Sequence, residues 1–402
     1  MINIYLLMFR KLVLIFFFIL FVIKASDAQV RVRLFSVRAT ESVLFTVTGG
    51  EYVITPFGGD SLVIKKGEPV MISRFNEKIA VKPYNSQGFV CDSVLMKTTE
   101  NSGSFSIRVN GNAPVRQYYT GNLSCYSDLG TLLMVNSCDI EQYVAGVVRA
   151  EGGTGNNPEY FKTQAVIVRT YMYKYFNRHI SDGFNLCDNT HCQVFNGIST
   201  DPSVVEAAKE THNLVILDSD STLIMSPFHS NCGGETSTAG DVWIANLPYL
   251  KKVIDPYCIF SRNAKWQKSF SSDKWTSYLR SSGFTGEPAD LASFNFLQNT
   301  RLTEYRTGSF TLPLRTMRTD MNLRSSFFSV KANGDSIILT GRGYGHGVGL
   351  CQEGAMVMGL RGFNYMQIID FYYTGVIISD INNAVEISPN QINHFLVVGG
   401  RN

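Results

Sequence analysis

The stretch DIEQYVAGVVRAEGG, Asp139 to Gly153, puts a carboxylate in an unusual place. Ile140, Val144, Val147 and Val148 recur at the spacing of one helix face, and the same stripe continued lands on Glu151, just before two glycines. A carboxyl group held against apolar neighbours loses hydration in its charged form, so its pKa rises. An acid that stays protonated near neutral pH can protonate a leaving group. The plainer alternative is a solvated helix end with Arg149 or Arg169 as its partner. A second set lies in HISDGFNLCDNTHCQVF, where His179, Cys187, His191 and Cys192 bring two imidazoles and two thiols into fourteen residues. These donors suit a tetrahedral zinc ion; the competing reading is a Cys187–Cys192 disulfide beside two unrelated histidines. Four protein ligands leave no open coordination position, so zinc here would be structural.

Glu151 must be positioned by helices. Asp139 can cap the first, with Gln142 three residues on completing a capping box. The next is announced by NNPEYFKTQAVIVRTYMYKYF, with Asn157 as N-cap and Pro158 in the first turn. Its apolar stripe is Phe161, Ala165, Val168 and Met172; Lys162, Val166, Arg169 and Tyr173 form another face. A glycine-dense loop, GRGYGHGVGLCQEGAMVMGLRG, then runs into a helix, and FNYMQIIDFYYTG reads as another with Asn364 and Gln367 placed for a capping box. The glycines are read as permitting close backbone approach to a substrate groove or to the helix bearing Glu151. Gly345 and Gly347 do not make a nucleotide fingerprint, because the third glycine and the ribose-binding acid are misplaced.

Upstream, residues 29–119 read as a β-rich region of short strands such as VRVRLF, SVLFTV and EYVITPF, with a turn signal at Asn110-Gly111 and no catalytic cluster. Between 180 and 345 the pattern is mixed, with NLVIL and STLIM strand-like, and 379–402 reads as a peripheral tail. The expected class is therefore α+β: residues 1–28 as a signal peptide, 29–119 β-rich, 120–378 a mixed helical and strand domain, then the tail.

The signal reading rests on Arg10-Lys11, the apolar run Leu12–Ile23 and the small residues Ser26 and Ala28. That run is short for a bilayer span, so membrane attachment would come only through an uncleaved signal. The chain has 402 residues, 45% apolar and 17% charged, which is globular composition. Its net charge of +3 falls to +1 when residues 1–28 take away three basic side chains and one acidic one, so composition argues against nucleic-acid binding. Eight cysteines in an exported chain favour disulfides, with Cys232 and Cys258 as candidate partners.

The segments NSCDIEQYVAGVVRAE, YFKTQAVIVRTYMY, CDNTHCQVFNG, SNCGGETSTAGDVW and GRGYGHGVGLCQEGAMVMGLRGFNYMQIIDFYYTG, taken in order over about 120–378, resemble the stage II sporulation protein D (SpoIID) family, which includes LytB-type amidase enhancers. The resemblance implies an exported, periplasmic or cell-envelope lytic transglycosylase that cleaves peptidoglycan glycan strands, especially strands stripped of their peptides. That the mixed domain is catalytic with a central groove is implied by this family resemblance alone. The alternative it implies is a non-catalytic glycan-binding partner of a cell-wall amidase. It matches the catalytic glutamate to Glu151 and the active-site arginine and tyrosine to Arg169 and Tyr173. Arg169 would orient the carboxylate or hold a sugar substituent, and Tyr173 would hydrogen-bond substrate or catalyst. The loop EGGTGNNPEYF departs from the family's more usual Trp-Pro-Glu-Ala type. Gln193, Ser230, His346 and Gln352 are candidate substrate-binding residues, and Trp243 either stacks on a sugar or packs in the core. Some relatives carry zinc at a His/Cys cluster of this kind. No organic cofactor is implied. The single-acid reaction forms a 1,6-anhydro sugar and so does not require the two carboxylates of ordinary glycoside hydrolysis.

Overall fold

A computed structural model describes residues 29–99, 103–110, 114–243, 246–287 and 290–385. The expected signal peptide, Gly111 of the expected turn and residues 386–402 of the tail lie outside them. The chain divides into two units. The first runs up to Tyr143 and includes Ser181–Cys187; the second comprises Val144–Ile180 and the chain from Asp188. No helix among the described residues is long and apolar enough to cross a membrane.

Alternating burial makes the first unit a two-sheet structure. In Gln29–Leu34, Val30, Val32 and Leu34 are buried while Arg31 and Arg33 are only partly so, the period of a strand with one face covered. One sheet runs, in spatial order, Leu186–Cys187, Gln29–Leu34, Thr131–Asp139, Asn122–Asp128, Ser93–Thr98, Tyr52–Pro56 and Leu62–Ile64. The other runs Val115–Thr120, Ser104–Val109, Ser42–Gly49, Pro69–Phe75, Lys78–Pro83 and Phe89–Cys91. Tyr52 of the first sheet meets Phe45 and Phe105 of the second edge-on, at ring separations of 5.6 and 5.7 Å. The β-rich region thus extends past the expected boundary at 119. Gln29–Leu34 pairs antiparallel with Thr131–Asp139, so the last two long strands complete a sheet that the first strand begins.

The unit boundary falls inside helix α1 (Ile140–Gly152). Asp139 Oδ1 accepts the Gln142 N–H at 3.0 Å, capping it as expected. In the second unit, α2 (Pro158–Lys174) has the expected Asn157 cap and leading proline. It is buried on nearly every side, beyond the expected stripe: Tyr160, Gln164 and Arg169 are all inside. A helix covered all round belongs in a core. Around it stand α3 (Pro202–Glu210), the strand Leu214–Leu217 paired with Ile377–Asp380, and two later helices. STLIM, expected as a strand, makes one isolated bridge, Leu217 to Leu223.

After α4 (Ala239–Val242), a satellite core forms around Trp266, Trp275, Phe294, Tyr305 and Met317. It joins α5 (Ser272–Ser281), α6 (Leu314–Asp320) and the sheet of Lys265–Ser271, Ser336–Arg342 and Phe328–Asn333. Then come α7 (Gln352–Leu360) and α8 (Tyr365–Tyr372), the latter with the expected Asn364/Gln367 capping box. The architecture is α+β, as expected.

Candidate active site

All the residues around Glu151 belong to the second unit. Glu151 sits half-buried in the last turn of α1, and burial raises its pKa, opposed by a backbone hydrogen bond from Val194. That bond runs from the Val194 N–H to Oε1 at 2.9 Å. Oε2 has no hydrogen-bond partner among the described residues. One carboxyl oxygen is thereby anchored.

Gly146 makes this contact possible. A Cβ there would stand 2.4 Å from Gly197 O and 2.5 Å from the Phe195 ring. Only glycine lets the chain after Val194 cross α1 so closely. Gln352, the first residue of α7, secures the other side by donating from Nε2 to the Glu151 carbonyl at 3.1 Å. Tyr160 of α2 completes the surroundings; a Cβ at Gly152 would lie 3.3 Å from its hydroxyl. Burial drives the Tyr160 pKa up, so the phenol stays neutral.

The structure does not gather every expected residue here. Arg169 follows Tyr160 by nine positions, about two and a half turns, which places it on the opposite side of α2. It is fully buried and donates from Nη1 to Leu214 O at 3.0 Å and from Nη2 to Ala208 O at 3.1 Å. The enclosed guanidinium ties α2 to the end of α3 and to the following strand. Tyr173, half-buried, shares the Arg169 face one turn on. Gln193 is buried against α2, with Nε2 3.5 Å from Val168 O, rather than projecting outward.

Ser230 and His346 are likewise engaged within the fold. Ser230 Oγ accepts from Asn263 Nδ2 at 3.2 Å. His346 Nε2–H donates to Phe228 O at 2.9 Å, and Nδ1 accepts the Val348 N–H at 3.1 Å. Its ring packs on Trp243 and His229, with centroids 5.3 and 5.4 Å away. Burial pushes the His346 pKa down to about 4, and the neighbouring His229 is also driven well below its ordinary value, chiefly by burial. The glycine loop approaches this region, not α1: Cβ atoms at Gly345 and Gly347 would meet His229 Cβ at 2.7 Å and Arg301 Cζ at 2.8 Å.

In the His/Cys cluster, His179 Nε2 and His191 Nδ1 each stand 3.6 Å from Cys192 Sγ. A tetrahedral zinc ion with ordinary bond lengths separates such nitrogen and sulfur ligands by about 3.5 Å. Donor types and spacing therefore fit the ion. Cys187, the fourth residue of the expected set, ends the strand Leu186–Cys187. Arg178 donates to His191 O at 2.8 Å and to the Tyr171 hydroxyl at 2.7 Å, holding the loop that leads to Val194.

Sequence reasoning missed the Val194 N–H, Tyr160 and Gly146. A backbone donor leaves no mark on residue identity, and Tyr160 reads as one more core aromatic. Gly146 carried a signal, a glycine inside a helical pattern.

Comparison with known proteins bears on this geometry. The family model described as Stage II sporulation protein matches residues 128–217, which include Glu151, Arg169 and Val194. The chain is 30% identical to Stage II sporulation protein D of Bacillus subtilis, over 61% of this chain and 76% of the relative. It is 30% identical to an uncharacterized protein of Brachyspira hyodysenteriae, over 90% and 95%. It is 26% identical to the Amidase enhancer of Bacillus subtilis, over 57% of this chain and 39% of that protein. The chain belongs to the SpoIID family.

Proposed function

We propose that this protein is an exported lytic transglycosylase acting on peptidoglycan glycan strands, with Glu151 as its single acid and base. The observation that carries the reading is the state of Glu151: half-buried, raised in pKa, anchored at Oε1 and, among the described residues, without a hydrogen-bond partner at Oε2. In the forward step the Oε2 proton passes to the glycosidic oxygen and the bond to the anomeric carbon breaks. The resulting carboxylate then takes the proton of the sugar's 6-hydroxyl, whose oxygen bonds to the anomeric carbon. No water is consumed, and the products are a 1,6-anhydro sugar and a free 4-hydroxyl. Such proton transfers contribute about 10²–10⁴-fold in rate.

The remaining residues set the geometry. Val194 and Gln352 hold the carboxyl group and its backbone, and Arg169 fixes α2. Zinc on His179, His191 and Cys192 would brace the Val194 loop and supply no chemistry to the reaction.

The second reading, a non-catalytic glycan-binding partner of a cell-wall amidase, is favoured by the name of the Amidase enhancer relative. Digestion of peptide-stripped glycan strands in ¹⁸O water separates the two. The transglycosylase yields anhydro ends with no solvent oxygen; hydrolysis would add ¹⁸O; a pure enhancer binds strands, releases nothing and stimulates an added amidase.

A further inference from the structure

The loop that enters α7 carries a buried cluster that the proposed reaction does not use. The sulfurs of Cys232, Cys258 and Cys351 and a carboxylate oxygen of Asp255 all lie within 4.8 Å of one another. All four residues are buried and belong to the second unit. Cys232 Sγ is 3.3 Å from Cys258 Sγ and 3.2 Å from Asp255 Oδ2. We propose that these four side chains hold one zinc ion in a closed tetrahedral site, separate from the His/Cys cluster.

The donors argue for it. Three thiols and a carboxylate gathered out of water cost folding free energy. A single ion turns that cost into binding, and ligation displaces the three thiol protons. With Zn–S bonds of about 2.3 Å, tetrahedral geometry separates sulfurs by about 3.8 Å, within the observed spread. Thiolates select against magnesium and calcium, and four protein ligands leave no open position, so the site is structural. Asp255 and Cys258 stand three residues apart, a spacing that zinc ligand pairs use.

The surroundings are built for such ligands. Asp255 Oδ2 accepts from the Tyr372 hydroxyl at 2.9 Å, and Oδ1 accepts the N–H groups of Tyr257 at 2.8 Å and Cys258 at 3.3 Å. Cys351 Sγ accepts the N–H of Cys232 at 3.2 Å and of Gly354 at 3.4 Å. Outer contacts of this kind orient metal ligands and stabilise thiolate charge. Arg301, buried and donating to Cys232 O at 2.7 Å, adds a nearby cation to offset the anionic ligands. At Gly354 a Cβ would stand 2.4 Å from Asp255 Oδ2 and 2.2 Å from the Tyr372 hydroxyl, so only glycine leaves the cradle open.

A Cys232–Cys258 disulfide, the candidate pairing from sequence, uses two of the four donors; the ion uses all four. Its place gives it a purpose. It knots the segments at 232, 255–258 and 351, one residue before Gln352, whose amide holds the Glu151 carbonyl. It therefore acts as a positioning site for α7.

The test uses residues 29–402, exported during expression and purified in air without chelator. Zinc is counted by elemental mass spectrometry in wild type, C187S/C192S and C232S/C351S. We expect C187S/C192S to keep a single equivalent, whose X-ray absorption shows three sulfur scatterers and one lighter atom, and C232S/C351S to lose that equivalent. Should the variants fail to fold, peptide mapping of unreduced wild type after denaturation in chelator and alkylation still decides: all three cysteines should be alkylated. A Cys232–Cys258 cross-linked peptide, a metal other than zinc, or zinc content unchanged in folded C232S/C351S overturns the proposal.

Discussion

The Val194 N–H donates to Glu151 Oε1 at 2.9 Å, joining the end of α1 to a loop 43 residues further along the chain. This bond does two things at once. It opposes the rise in the Glu151 pKa that burial causes, and it anchors one carboxyl oxygen while the other has no hydrogen-bond partner among the described residues. The acid is therefore tuned by the loop's position as much as by its own helix.

Gly146 sets that position. Gly146→Ala forces Gly197 O or the Phe195 ring to move, since the added methyl would sit within 2.5 Å of both. We expect a loss of about 1–3 kcal/mol in stability. Glycan cleavage should fall by at least about tenfold in the protein that remains folded, because Val194 moves with the loop. Thermal melts and single-turnover cleavage measure the two effects separately.

Glu151 costs stability when charged. Its folded pKa lies above the unfolded value of about 4.3, so the folded state binds the proton more tightly. Any stabilisation from protonation is fully present below pH ~4.3 and is lost as pH rises through the folded pKa. Glu151→Gln keeps an oxygen for the Val194 N–H and removes the charge. Its melting temperature should exceed wild type at pH 7, on the order of 1–2 °C, and match it near pH 4. An equal difference at both pH values would mean that the charge is not involved.

His346 and His229 act in the opposite direction. Both are held neutral by burial, His346 with a pKa near 4. A depressed folded pKa contributes stability above the unfolded value of about 6.5 and loses it as pH falls toward the folded value. Melting temperature should therefore decline between pH ~6.5 and ~4. His346→Gln should flatten part of that decline, as read from melts across the same range.

Arg169 separates support from contact. Arg169→Met leaves the carbonyls of Ala208 and Leu214 without their buried donor. We expect destabilisation of about 2–4 kcal/mol. The KM of folded protein for glycan strands should change less than twofold. A large rise in KM at unchanged stability would instead place the guanidinium on the substrate.

What could be read from sequence was mostly local. The caps at Asn157 and Asn364 are contacts between residues two or three apart, which residue types announce directly. Glu151 was visible because helix periodicity predicts which face it joins. The rest depended on distant partners. The strands Asn122–Asp128 and Thr131–Asp139 belong with Gln29–Leu34, about a hundred residues earlier, which moves the unit boundary into α1. Arg169 finds carbonyls 39 and 45 residues away, and no pattern on its own helix signals them. Asp255 gave no sign of joining three cysteines drawn from separate segments.

The central claim is that Glu151 alone performs both proton transfers. The most direct measurement compares residues 29–402, wild type and Glu151→Gln, on peptide-stripped glycan strands, with products read by mass spectrometry. The account predicts 1,6-anhydro ends from wild type and a loss of at least about 10²-fold in the variant, with strand binding retained. Equal cleavage by both proteins, or binding by both with no cleavage, would contradict it.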